Sequence, residues 1–157
     1  MGGIIVACLT ALYVLLFLFF IIGVTRTHRY RGPKATPSDS VVVPMRNEED
    51  FAERTLEALA AQDYVGEWEV ICVDDSSTDG SAAILEQWQK RDSRLKVVKL
   101  EHVGPGTARN KAMEMARGDY IMFLDSDDRI SSGEALRAAF EQTVNDDLDV
   151  LVTDACD

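Results

Sequence analysis

The sequence predicts an α/β fold built on a mostly parallel sheet flanked by helices, and three observations carry that prediction. Short apolar runs alternate with stretches of helical periodicity from residue 39 to the end of the chain at residue 157. Residues 120–124 are five consecutive apolar side chains, the pattern of a strand buried on both faces of a parallel sheet. Three of the apolar runs end in clusters of acidic and polar residues, and a doubly wound sheet gathers such strand ends along one edge.

The elements follow in order. Val41, Val42 and Val43 form a first strand, which Pro44 should stop. A helix begins near Glu48, with Asn47 placed to cap it and Glu48, Glu49 and Asp50 in its first turn. Ala52, Leu56, Leu59 and Ala60 recur at helical spacing. Residues 70–73 make a second strand that ends in Asp74 and Asp75. Thr78-Asp79-Gly80-Ser81 opens a second helix with Ile84, Leu85 and Trp88 facing inward, and residues 95–100 form a third strand. Gly104-Pro105-Gly106 starts a third helix with Ala108, Ala112, Met115 and Ala116 on one face. The buried strand 120–124 comes next and runs into Asp125, Asp127 and Asp128. Ser131 and Glu134 form a capping-box pattern before a helix that turns Leu136, Ala139, Phe140 and Val144 inward. Residues 149–152 read as a last strand.

The first 38 residues have a different character. Residues 2–25 carry no charged side chain and are almost wholly apolar from Ile4 to Val24, enough for one helix across a bilayer core about 30 Å thick. The long apolar core and the lack of a basic leading segment favour an anchor over a cleavable signal peptide. Residues 1–25 are therefore expected to be a transmembrane anchor, touching the membrane through residues 3–25. Residues 26–38 form a basic linker, and residues 39–157 form the globular domain. Positive charge on the C-terminal flank alone (Arg26, Arg29, Arg31, Lys34) places the domain on the cytoplasmic side of the cell membrane.

Charge narrows the partners. Residues 1–34 hold four basic side chains and no acid, so the remainder carries −15 against the chain's net −11. A domain that acidic excludes nucleic acid as a partner, since phosphate backbones are bound through Lys and Arg. Cys8, Cys72 and Cys156 share no metal-ligand spacing and no evident pairing, which suits a reducing compartment.

The strand ends hold the candidate chemistry. Acids at the rim of a buried strand suit a cationic ligand, and Asp125 and Asp127 are candidates to hold a metal beside a phosphate. The chain resembles the N-terminal, nucleotide-binding half of a family 2 glycosyltransferase with the Rossmann-like GT-A fold. The resemblance rests on Val41-Val42-Val43-Pro44-Met45-Arg46-Asn47-Glu48-Glu49, Val73-Asp74-Asp75-Ser76-Ser77-Thr78-Asp79-Gly80-Ser81, Gly104-Pro105-Gly106-Thr107-Ala108-Arg109-Asn110, and Asp125-Ser126-Asp127 as the family's D-x-D.

That resemblance implies a nucleotide-sugar site made of Pro44, Arg46, Asn47, Glu48, Asp74, Asp75, Arg109, Asp125 and Ser126. In it the first cluster and Asp74-Asp75 line the base and ribose pocket, and Arg109 faces the diphosphate. Asp125 contacts the ribose or the metal, and Asp127 ligates Mg²⁺ or Mn²⁺. A carboxylate that accepts from the uracil imide N–H suits a UDP-sugar donor. The resemblance also implies inverting transfer to an acceptor, with the anchor pointing to a lipid-linked or cell-envelope glycan. Arg46 stands where the family often has an aromatic residue, so its guanidinium plane takes the place of a stacking ring.

The family's general base lies beyond the D-x-D and the strands that follow it. The catalytic residue is therefore not assigned within this chain, which is expected to be truncated before the acceptor half. The alternative function is a nucleotide- or metal-binding module without turnover. A nucleotidyltransferase ranks last, because Pro44-Met45-Arg46-Asn47-Glu48 replaces the Gly-rich basic loop that such enzymes place after the first strand.

Overall fold

In the computed structural model the described residues are 36–128, 130–146, 148 and 150–152. They form four strands and four helices in strict alternation: β1 (Asp39–Met45), α1 (Glu49–Ala60), β2 (Trp68–Asp74), α2 (Ser81–Arg91), β3 (Leu95–Lys99), α3 (Pro105–Met115), β4 (Tyr120–Phe123) and α4 (Ala135–Asn145). The sheet order is β3-β2-β1-β4 and every pairing is parallel, with Val41 opposite both Val70 and Met122. The expected membrane anchor and most of the basic linker lie outside the described residues. Among the described residues no helix is long and apolar enough to cross a membrane.

Burial follows the period-2 alternation of a strand. Val41, Val43, Met45, Val70 and Cys72 point to one face and pack against Ala52, Leu56 and Leu59 of α1, Leu85 of α2, and Leu136 and Phe140 of α4. Val42, Ile71 and Val73 point to the other face, where Ala108 and Ala112 of α3 meet them. Val41, Val42 and Val43 are fully buried, each worth about 1.5–3 kcal/mol. Burial raises the Cys72 thiol's pKa far above its ordinary value, which keeps it inert at neutral pH.

Several expectations are corrected. β1 runs through Pro44 instead of stopping there. Met45 O accepts from Asp75 N on the β2 side and Val42 O from Leu124 N on the β4 side, so Pro44 faces β4 just past the last register pair, Val42 with Phe123. A ring nitrogen without a proton breaks no bond there. Strand β4 is buried on one face only. Ile121 and Phe123 are 38% and 46% exposed, because β4 lies at the edge of the described sheet and no described helix covers that side. Val150, Leu151 and Val152 are in no strand, and Val150 and Val152 are largely exposed, so an apolar run without a partner strand stays irregular.

The helix ends differ as well. Glu48 occupies the N-cap position of α1 and no side chain caps it. The Ser131 capping box does not form; Glu134 N donates to Ser132 Oγ instead. Met115 is 43% exposed rather than inward, whereas Thr143 joins the buried face of α4.

Candidate functional site

The carboxyl ends of β1, β2 and β4 and the N-terminus of α3 surround a cleft of about 260 Å³. β1 contributes Pro44, Met45, Arg46 and Glu48; β2 contributes Asp75; the approach to α3 contributes His102, Gly104 and Pro105. Ala108 and Arg109 of α3, with Asp125, Ser126 and Asp127 after β4, complete the lining. This is the switch-point edge of the sheet, where α/β proteins bind ligands.

The loops here hold an unusual backbone. Asn47, Ser76 and His102 adopt the left-handed conformation, with φ of 58°, 63° and 51°. They follow three adjacent strands, and such conformations cluster at functional loops. Gly104, with φ 85° and ψ 159°, takes an extended positive-φ conformation open only to glycine.

Hydrogen bonds lock the loops together. Asn47 N donates to Ser77 Oγ at 3.0 Å, and Asn47 Oδ1 accepts from Thr78 N at 2.8 Å. Glu48 N donates to Ser81 Oγ at 2.8 Å, while Glu49 N and Gly80 N exchange bonds with the side chains of Asp79 and Glu49. Asn47 is thus a stitch between two loops, and neither caps α1 nor lines the cleft. Asp74 is also turned away: it is 4% exposed and its Oδ1 accepts from Ser77 N at 3.0 Å. The other predicted residues (Pro44, Arg46, Glu48, Asp75, Arg109, Asp125, Ser126 and Asp127) meet at the cleft.

Asp75 accepts from Val103 N at 2.6 Å and Gly104 N at 2.8 Å. Burial alone would raise its pKa, but these two N–H groups, with His102 and Arg46 nearby, hold the carboxyl below its ordinary value. His102 Nδ1 lies 3.8 Å from Asp75 Oδ2. Sequence reasoning missed His102 and Met45. The one available signal for His102 was its place directly before the Val103-Gly104 turn.

Arg109 is ion-paired with Asp125, across the cleft from the β1 loop. The two groups that the resemblance assigns to diphosphate and metal therefore meet each other. Asp128 N donates to Asp125 O at 3.1 Å, closing a turn with Ser126 and Asp127 at its centre. Glu48 faces that turn. Burial raises its pKa, the Asp127 carboxylate raises it further, and the nearby Ser126 hydroxyl opposes both.

Among the described residues no three His, Cys, Asp or Glu side chains converge as a metal cage. The chemistry still fits a hard divalent cation shared with a phosphate ligand, which needs only one or two protein carboxylates. Asp125 and Asp127 are exposed oxygen donors on one turn, and the repulsion between Asp127 and Glu48 is what a cation there would relieve.

Residues 40–155 match the profile of glycosyl transferase family 2. The chain belongs to this family. It is similar to the poly(ribitol-phosphate) beta-glucosyltransferase of Bacillus spizizenii, 44% identical over 101 residues, covering 62% of this chain and 16% of that protein. The structure of S. aureus TarS 1–349 in complex with UDP-GlcNAc is 40% identical with a TM-score of 0.63, covering 69% of this chain and 31% of that one. The mannosyltransferase PcManGT from Pyrobaculum calidifontis, in complex with GDP-Man and Mn²⁺, is 26% identical with a TM-score of 0.66, covering 87% and 42%. The chain spans less than half the length of each of these relatives. The turn that resembles the family's D-x-D is the one whose Asp125 pairs with Arg109.

Proposed function

We propose that this family 2 chain is the donor-binding part of a glycosyltransferase that takes a sugar from a nucleoside diphosphate, UDP in preference to GDP. The observation that carries the reading is the cleft in which Asp75 and the Asp125–Asp127 turn, from the ends of β2 and β4, converge with Arg109 of α3. The UDP-GlcNAc complex of the TarS relative supports the choice of nucleotide. Asp75 and Arg46 form the base and ribose end, and Arg109 with the α3 N-terminus faces the diphosphate. Asp127, with Asp125, holds Mg²⁺ or Mn²⁺, which offsets the charge that builds up on the departing nucleoside diphosphate.

The Arg109–Asp125 pair opens on donor binding, so that Arg109 turns to phosphate and Asp125 to the cation or ribose. The acceptor is a lipid-linked or cell-envelope glycan, reached at the cytoplasmic membrane face through the anchor of residues 1–25. Transfer proceeds with inversion. Calorimetric titration of the full chain with UDP, with and without Mn²⁺, tests the reading. Binding that Mn²⁺ strengthens, and that in the presence of Mn²⁺ drops in Asp127→Ala by more than the roughly 10–100-fold of an outer-shell change, is expected. Tighter binding of GDP than UDP overturns the nucleotide choice, and no binding by folded chain overturns the donor site.

A further inference from the structure

The turn that carries Asp125 and Asp127 is not held by its own strand alone. Helix α1 grips it from the side. Thr55 Oγ1 donates to Ser126 O at 2.7 Å, a bond between residues 71 apart in the chain. Thr55 and Ser126 are 3% and 4% exposed, so the bond is dry. Arg54, the residue before Thr55, reaches Asp127 O through Nη2 at 3.4 Å.

Position 55 lies on the buried side of α1, beside Ala52, Leu56 and Leu59. A threonine on a buried helix face usually returns its hydroxyl to its own helix, four residues back. Thr143 of α4 does that, donating to Ala139 O at 2.8 Å. Thr55 instead spends its donor on the turn. Leaving Ser126 O without this donor would strand a buried carbonyl, which costs about 1–3 kcal/mol unless the turn moves to find another partner. A turn that moves takes both carboxylates with it.

We propose that Thr55 is a positioning residue: through Ser126 O it sets where Asp125 and Asp127 present their carboxylates to the cation and diphosphate. The proposal rests on the donor site described above. Its test compares the full chain with Thr55→Val, which keeps the shape and removes the hydroxyl, and Thr55→Ser, which keeps the hydroxyl. Thr55→Ala, which removes the hydroxyl without adding volume, is read the same way where valine is not accommodated.

Two readouts are taken. UDP affinity with Mn²⁺ is expected to fall about 10–100-fold in the hydroxyl-less variants, the range for groups that orient metal ligands, and to return in Thr55→Ser. UDP affinity without metal is expected to stay level. Without any ligand, hydrogen exchange at the Asp128 amide, which closes the turn, is expected to speed up in the same variants and to recover in Thr55→Ser. Unchanged exchange and an affinity within twofold of wild type overturn the proposal, as does a uniform loss of affinity with and without Mn²⁺. If the wild-type chain itself binds no UDP, the donor site fails. The exchange comparison then decides whether Thr55 holds the turn.

Discussion

The two ends of the parallel sheet treat the same side chain in opposite ways. At the carboxyl ends, Asp75 and Asp79 each accept two or more hydrogen bonds, which outweigh the effect of burial and keep both carboxyls below their ordinary pKa. At the amino end, Asp39 is 1% exposed on the same sheet face as Val41 and Val43, and neither of its carboxylate oxygens has a hydrogen-bond partner. Burial pushes its pKa up to about 7; the nearby Ser40 N–H opposes this slightly without reaching hydrogen-bond geometry. Tyr64 beside it is pushed up to about 12, first by burial and then by Asp39 and Asp119. What separates a charged rim from a neutral interior is the supply of N–H donors, not the residue type.

The amino end spends its donors elsewhere. Ser40 Oγ donates to Glu69 Oε1 at 2.9 Å, and the turn before β4 is bound to that pair through Arg117 N and Gly118 N. Glu69 also pairs with Lys96. This end is a structural clamp with the turn drawn close to β1, while the other end is an open cleft.

The largest expected effect comes from removing the contrast at Asp39. Its folded pKa lies above the ordinary 3.8, so its stabilising contribution is complete below 3.8 and is lost as pH rises through about 7. At about 1.4 kcal/mol per pH unit, this is a loss on the order of 4 kcal/mol. Asp39→Asn keeps the shape without the titration, so its melting temperature is expected to exceed wild type at pH 8 and to match it near pH 4. Thermal unfolding followed by circular dichroism checks this, and parallel pH profiles for the two proteins would refute it.

Gly118→Ala strikes the clamp itself. A Cβ there would stand 2.5 Å from the Asp39 carbonyl carbon and 2.6 Å from Ser40 N. Backbone cannot yield cheaply, and a loss of about 1–3 kcal/mol in denaturant unfolding is expected. A midpoint unchanged from wild type would mean that the turn packs less closely than 2.5 Å implies.

The smallest effect is at the cleft. Asp75→Asn leaves acceptors for only part of what Val103 N and Gly104 N now find, and it removes the charge. Because the folded pKa is lowered, the wild-type advantage should exist above 3.8 and vanish as pH falls through the folded value. A modest drop in melting temperature at pH 7 that disappears in acid is the expected result. The same drop at every pH would make Asp75 a matter of shape rather than charge.

Legibility divides along the same line. The alternation of elements, the helix faces of α1 and α2 and the three acidic strand ends could all be read from local patterns, because period and turn chemistry are local properties. Eight of the residues expected at the site do meet at the cleft. Asp74 and Asn47 could not be told from their neighbours. In Asn47-Glu48, which member faces the cleft depends on hydrogen-bond partners 30 to 33 residues away, at Ser77, Thr78 and Ser81. In Asp74-Asp75 it depends on the Ser77 amide three residues on, which takes Asp74, and on the Val103 and Gly104 amides 28 and 29 residues away, which take Asp75.

By itself, the sequence determined the α/β class, the order of the elements and the acids at the strand ends. Those follow from hydrophobic periodicity and from residues that favour turns. Only the tertiary structure decided that β4 shows one face to solvent, that Arg109 meets Asp125, and that Thr55 turns its hydroxyl outward to Ser126. Each of these depends on groups far apart in the chain, and a hydrogen bond across 71 residues leaves no trace in the spacing of either partner.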